Sequence, residues 1–194
     1  MNWGSMNGEH ALQWAIWFWT VFMAVWLVMG FRIKRAKQRE TYRERMQHLI
    51  PVFIGFWLLL GRNWGVLDAR VMPDTPSMPW LGLVLTAMGV GISIWARVSL
   101  GANWSGTVTL KDDHELISKG LYRWIRHPIY TGILLAMIGT AMIRGQLRCW
   151  VGFLIVLAAF YFKARREEGF LRQEFGDGFE VHAKRTGMFL PKLS

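Results

Sequence analysis

Twenty-one consecutive positions, Ala11 to Phe31, carry no charge and only two polar side chains, Gln13 and Thr20. Spanning a bilayer takes about 20 such residues. Four further apolar runs follow at roughly 49–67, 80–98, 129–143 and 147–162. The last two are short, about 15 and 16 residues, short enough to form a tight helical hairpin packed against the others. The chain is 194 residues long, which gives room for one domain. It carries 23 Lys+Arg against 13 Asp+Glu, but cations and apolar residues lie in separate blocks. That separation points to a membrane protein and away from a nucleic-acid binder. The expected fold is an all-α integral membrane protein of about five transmembrane helices. It forms one membrane domain over 1–194, with spans one to three in 1–96 and a second half in 97–194.

The basic residues around the first run follow it, and no small-residue cleavage site is evident, so it reads as a retained anchor and not a signal peptide. Cys149 is the only cysteine, which rules out an intrachain disulfide and a cysteine-based metal site. No HExxH, P-loop or GxGxxG is present. Gly82, Gly89 and Gly91 in the third run read as points of close helix approach.

Lys and Arg sort by segment. There are none before the first run, seven in 32–48, two in 62–79, five in 97–128, two in 144–148 and seven from 163 onward. Alternate segments therefore hold nineteen against four. Positive residues favour the cytoplasm, so the N-terminus is expected outside and the C-terminus inside. This places the 97–128 loop and the tail on one face, in contact with lipid headgroups.

That loop ends in RHPIYTG, Arg126 to Gly132. Thr107 to Leu110 reads as a short extended piece and 111–113 as a turn. Ser118 is a candidate cap for a short helix through Leu121 and Tyr122, which should end before Pro128. Pro128 suits the first position of the next helix, whose first-turn amides can meet a carboxylate. Arg126, His127 and Tyr130 thus fall where an apolar helix meets water. In the tail, Lys163 and Glu167 are four apart and share a helix face. Gly176 stops that helix, and Asp177 with Glu180 has capping-box spacing. Met188 to Pro191 is an apolar end that can anchor to the membrane surface or roof a pocket.

These stretches, HELISKGLYRWIRHPIYTG (114–132), EEGFLRQEFGDGFEVH (167–182) and FLP (189–191), resemble the isoprenylcysteine carboxyl methyltransferase family. The resemblance covers roughly residues 97–191. It implies an integral membrane enzyme using S-adenosyl-L-methionine, with a cytoplasmic cofactor site built from the loop before span four and the C-terminal tail. By position, Lys111, His114, Glu115, Leu116 and Ile117 would contact the cofactor. Tyr122, His127, Pro128, Ile129 and Tyr130 would enclose its other side, and Glu167 would close the site. Lys163 falls near the family's substrate-facing arginine; lysine keeps the charge but loses the bidentate fork.

The implied reaction is methyl transfer to the carboxylate of a lipophilic, prenylcysteine-like substrate. A carboxylate is already ionised at pH 7, so orientation by Lys163 or Arg126 and exclusion of water carry the rate. The expected partners are the lipid bilayer and that substrate, with no nucleic acid and no metal. A phospholipid N-methyltransferase, a sterol-type NADPH-dependent reductase and a non-enzymatic scaffold are the competing readings.

Overall fold

Each apolar run becomes helix. The computed structural model describes residues 3–30, 36–39, 41–62, 64–101, 109–111, 116 and 118–192, the backbone alone at 3–7, 36–39 and 109–111. The long helices are α1 (Trp3–Gly30), α2 (Tyr42–Leu60), α3 (Met78–Leu100), α4 (Pro128–Arg144) and α5 (Leu147–Phe175), followed by a short α6 (Asp177–Arg185). Three are long and apolar enough to cross a membrane: Gly8–Gly30 within α1, then α3 and α5. The expected five spans thus resolve into five long helices with three such candidates. α4, with 17 residues, is about 26 Å long. α2 opens with a charged turn and stops at Leu60, short of the expected 67; a 3₁₀ turn at Gly65–Asp68 follows it.

Two seams hold the bundle. In α3, Gly82, Thr86, Gly89 and Ser93 fall on one face, at steps of four, three and four. They meet Gly132, Ala136, Gly139 and Thr140 of α4. A Cβ on Gly82 would lie 2.5 Å from the Gly139 carbonyl oxygen, so the backbones are too close for any side chain there. The Ser93 hydroxyl donates to the Ile129 carbonyl at 3.2 Å, and Trp19 of α1 donates its indole N–H to Thr140 at 3.0 Å. Gly82 and Gly89 are contact points as expected. Gly91 has nothing within 4 Å of its would-be Cβ. α2 packs on α5 through an equivalent Gly55–Gly152 approach.

Local signals set the ends. Thr41 and Glu44 form a reciprocal cap on α2, with the Thr41 amide donating to Glu44 Oε2 at 2.8 Å. Pro128 opens α4 as expected, and Gly145, at φ +68°, closes it into a tight turn leading to α5. α5 has 29 residues and is roughly 44 Å long, against a hydrocarbon core of about 30 Å. Its last turns therefore project beyond the apolar zone, carrying Lys163 to Arg172 with them.

Other local expectations differ from the outcome. The Ser118 helix is a 3₁₀ turn over Gly120–Arg123 with Lys119 at its cap position and no side-chain cap. Asp177 lies inside α6 and makes no cap; Gly176 precedes it, and Glu180 instead accepts from Arg172 Nε at 2.7 Å. Of the extended piece expected over 107–110, Thr109 and Leu110 are strand as expected, in β2 (Thr109–Lys111), which pairs antiparallel with β1 (Ala36–Arg39) in a two-stranded ribbon. Lys111 is thus a strand residue and not the start of a turn. Residues 107, 108, 112 and 113 lie outside the described residues.

Candidate functional site

The loop before α4, the end of α5 and the tail converge at one end of the bundle. Main-chain bonds fix the tail against the loop. The Arg126 amide donates to the Gly187 carbonyl at 2.9 Å, His127 to Met188 at 3.1 Å, and Gly187 back to Trp124 at 3.2 Å. Thr131 adds a side-chain bond from its hydroxyl to the Phe189 carbonyl, 2.7 Å. Phe189 consequently lies over His127 and Tyr130, with ring centroids 6.2 and 6.5 Å away. Of the two roles open to 188–191, Phe189 takes the roof, while Leu190 points outward.

Beneath that roof His127 is buried between two carboxylates. Its Nδ1 is 3.4 Å from Glu167 Oε2 and its Nε2 is 3.4 Å from Glu168 Oε1. Burial opposes protonation, yet hydrogen bonds to Glu167 and Glu168 and their charges prevail, raising the pKa above the ordinary histidine value. His127 precedes α4, where the helix dipole disfavours a cation. The flanking carboxylates therefore have to supply the compensation. Tyr130 donates its hydroxyl to Glu167 Oε1 at 2.7 Å. Its ring stacks on His127 at 5.4 Å and on Phe160 at 4.5 Å. Lys163 is buried, its ammonium 5.7 Å from the Tyr130 ring centroid.

Glu168 is the residue of this cluster that the sequence reading left out. It is 1% exposed and accepts from Arg126 Nε at 2.7 Å, with Arg172 at 3.7 Å. Adjacent helix residues point about 100° apart, so Glu167 faces Tyr130 while Glu168 faces Arg126. The only signal was the paired glutamates, and pairing alone does not say which face each meets.

Arg126 also stands differently from the expectation that it aligns a substrate. Its guanidinium is taken up by Glu168, by the Ala183 carbonyl at 3.2 Å and by the Thr186 carbonyl. It ties α6 to the loop. Pro128 and Ile129 are buried in the core below the cluster. Tyr122 is buried too, its hydroxyl 3.4 Å from the Ala96 carbonyl, and burial pushes its pKa up. The structure thus brings Tyr130, His127, Glu167 and Lys163 together. It places Tyr122, Pro128 and Ile129 as their support. Leu116 is half-buried in the loop; His114, Glu115 and Ile117 lie outside the described residues.

Among the described residues, apolar helices of membrane-spanning length with a polar, aromatic-roofed cluster at one end fit an integral membrane protein with a polar site where its helices leave the bilayer. The profile of the isoprenylcysteine carboxyl methyltransferase family matches residues 80–173. A rice protein described as a probable protein-S-isoprenylcysteine O-methyltransferase (Oryza sativa subsp. indica) is 36% identical over 130 residues, covering 64% of this chain and 68% of its own. The chain belongs to the isoprenylcysteine carboxyl methyltransferase family. The protein-S-isoprenylcysteine O-methyltransferase of Xenopus laevis is 29% identical over 131 residues, 64% of this chain and 46% of that protein. An uncharacterized Bacillus subtilis protein is 30% identical over 108 residues, 55% and 61% respectively. The fold is similar to the solved structure of a eukaryotic intramembrane Ras methyltransferase of the same family, with TM-score 0.54 and 22% identity. That match covers 91% of this chain and 62% of the solved one.

Proposed function

We propose that this chain methylates the carboxylate of a lipophilic substrate, with a prenylcysteine as the acceptor class and S-adenosyl-L-methionine as the donor. The observation that carries the reading is the convergence of His127, Tyr130 and Glu167 beneath Phe189, with α4 and most of α5 inside the family-matched stretch. The donor's charge suits these residues: a sulfonium cation is favoured by aromatic faces and by acidic side chains, and Tyr130, Phe160, Phe189 and Glu167 supply both. When bound, it supplies an electrophilic methyl group whose transfer to a carboxylate oxygen leaves a methyl ester and a neutral thioether.

The chain's own residues then have three tasks. Glu167, held by Tyr130 and His127, fixes the acidic wall. Phe189 and the tail keep water from the reacting oxygen. Lys163 orients the acceptor carboxylate without removing a proton, because none is bound at pH 7. Neither amine methylation nor NADPH-dependent reduction is supported by the relatives.

The test is calorimetric titration of purified protein with S-adenosylhomocysteine, followed by labelled-methyl transfer onto prenylcysteine analogues, fatty acids and phospholipids. Binding and ester formation on the prenylcysteine are expected; absence of heat with the donor or its by-product would sink the reading. The charge asymmetry favours this end facing the cytoplasm, with the N-terminus outside. A Lys119→Cys variant should then escape an impermeant thiol reagent added to intact cells, and labelling there would invert the orientation.

A further inference from the structure

The roof over the site is a short strap, Gly187 to Pro191, and its sequence makes it stiff. Leu190 precedes a proline, which confines it to extended backbone. A Cβ at Gly187 would run into the Leu190 carbonyl oxygen, so the strap doubles back on a residue without a side chain. Both ends are tied. The Gly187 and Met188 carbonyls accept from the loop amides of Arg126 and His127, at 2.9 and 3.1 Å. Beyond Pro191, the Lys192 ammonium donates to the Ala183 and Lys184 carbonyls at the end of α6, at 3.3 and 2.8 Å. The tie to Phe189, which covers His127 and Tyr130, comes from Thr131. Stiffness lets that one bond set the position of the middle of the strap.

Thr131 lies in the first turn of α4, next to Tyr130. Its hydroxyl carries one proton and has two acceptors within reach. One is the Phe189 carbonyl at 2.7 Å; the other, in its own helix, is the His127 carbonyl at 3.2 Å. The second is the back-bond a helical threonine ordinarily makes. Turning the O–H from one to the other needs no movement of the side chain. When the strap lifts, the hydroxyl therefore keeps a partner and the Phe189 carbonyl passes to water. No buried donor is stranded, and opening costs only the net worth of one hydrogen bond. The neighbouring Arg126–Glu168 pair is different, because breaking it would leave a buried charge without its partner. One contact is a fixed tether; the other has the energetics of a reversible latch.

We propose that Thr131 is a positioning residue of the site: its hydroxyl latches Phe189 over the donor's side, and the swap between its two acceptors sets how fast the donor and its by-product exchange. The ligand in this proposal rests on the methyltransferase reading above; the latch rests on the geometry. It is tested with Thr131→Val, which keeps the β-branched shape and loses the hydroxyl, and Thr131→Ser, which restores the hydroxyl. Thr20→Val in α1, where the hydroxyl bonds back to the Ile16 carbonyl at 2.9 Å, is the control for losing a back-bond alone. Thr131→Val should weaken S-adenosylhomocysteine binding about fivefold, chiefly through faster dissociation. The donor KM should rise with it while the acceptor KM does not move. Thr131→Ser should recover the affinity, and Thr20→Val should not change it. Amide exchange in the ligand-free protein reads the latch without turnover. The His127 N–H, held by Met188 beside Phe189, should exchange faster in Thr131→Val and return to the parent rate in Thr131→Ser. Parent-like dissociation or parent-like amide exchange in Thr131→Val would overturn the proposal, and so would a loss that Thr131→Ser does not restore. If the parent itself binds no S-adenosylhomocysteine, the methyltransferase reading falls, and exchange at His127 still decides the latch.

Discussion

Both ends of the bundle engage an arginine with a carboxylate, but to different effect. At the far end Arg148, 1% exposed, donates to Asp68 at 2.6 Å, to the Leu58 carbonyl and to Gln146. Arg144 adds a bond to the Leu60 carbonyl at 3.0 Å. Arg148 pairs with Asp68, and the two guanidiniums bond the last carbonyls of α2, so the cluster is a clasp. At the site end Arg126 and Glu168 clasp in the same way, yet beside them lie Glu167, a histidine raised in pKa, a stacked tyrosine and a buried lysine. A buried ion pair is therefore no sign of a site. The sign is charge held next to aromatic faces, at the end where family and tail residues meet.

The sharpest way to break this comparison is to remove Glu168. Glu168→Ala leaves Arg126 and His127 buried without their shared counter-charge, and should cost about 3–5 kcal/mol. It should also lose S-adenosylhomocysteine binding, because the tail loses its tether. Arg148→Leu at the far end should lower thermal stability by a smaller amount, about 1–3 kcal/mol, and leave that binding intact in calorimetry. Equal loss of binding in both would erase the distinction between clasp and site. Next in size, Tyr130→Ala and Glu167→Ala should each lower methyl transfer on the order of 10²-fold, with the protein still folded in detergent. Lys163→Met should raise KM for the carboxylate acceptor while leaving donor affinity unchanged, and Lys163→Arg should recover most of it. A loss of donor affinity in Lys163→Met would move that residue from the acceptor to the donor side.

The smallest effect is in the pH dependence of unfolding. The folded state binds the His127 proton more tightly than the unfolded chain does. Its stabilisation is therefore complete below the ordinary value of 6.5 and fades as pH rises through the raised native value. Asp68 behaves oppositely. The backbone N–H of Trp64 and the Arg148 guanidinium lower its pKa, so its contribution is present above 3.8 and fades as pH falls through the lowered value. Thermal unfolding should soften on the alkaline side at the site end alone, through His127, and on the acid side at both ends, through Glu167 and Glu168 at the site and Asp68 at the far end. Amide hydrogen exchange at Trp124, near the loop, and at Trp64, whose N–H is held by Asp68, should separate the two ends.

Much of the architecture was legible because bilayer length and helical period are local constraints. The apolar runs, Pro128 as a helix start, Gly176 as a stop and the small residues of α3 all follow from them. An extended piece at Thr109 and Leu110 was legible, but β1 (Ala36–Arg39) and its pairing with β2 (Thr109–Lys111) were not, because two long helices separate the strands and β1 does not alternate. Nor was the failure of the Asp177–Glu180 cap, because Arg172 on the preceding helix competes for Glu180.

That Tyr130 and Glu167 share a motif set is what the resemblance implied; the sequence alone determined that this chain forms apolar helices, with most of its cations in alternate connecting segments. Those properties depend on spacing along the chain. Only the tertiary structure decided that Arg126 is a tether, that Glu168 and not Glu167 holds it, and that Lys163 lies over the Tyr130 ring. Each of these depends on the rotation of α5 about its axis, which is fixed by the Gly55–Gly152 contact with α2 and by the returning tail. Neighbours in sequence part by about 100° around a helix, and packing chooses which of them faces inward.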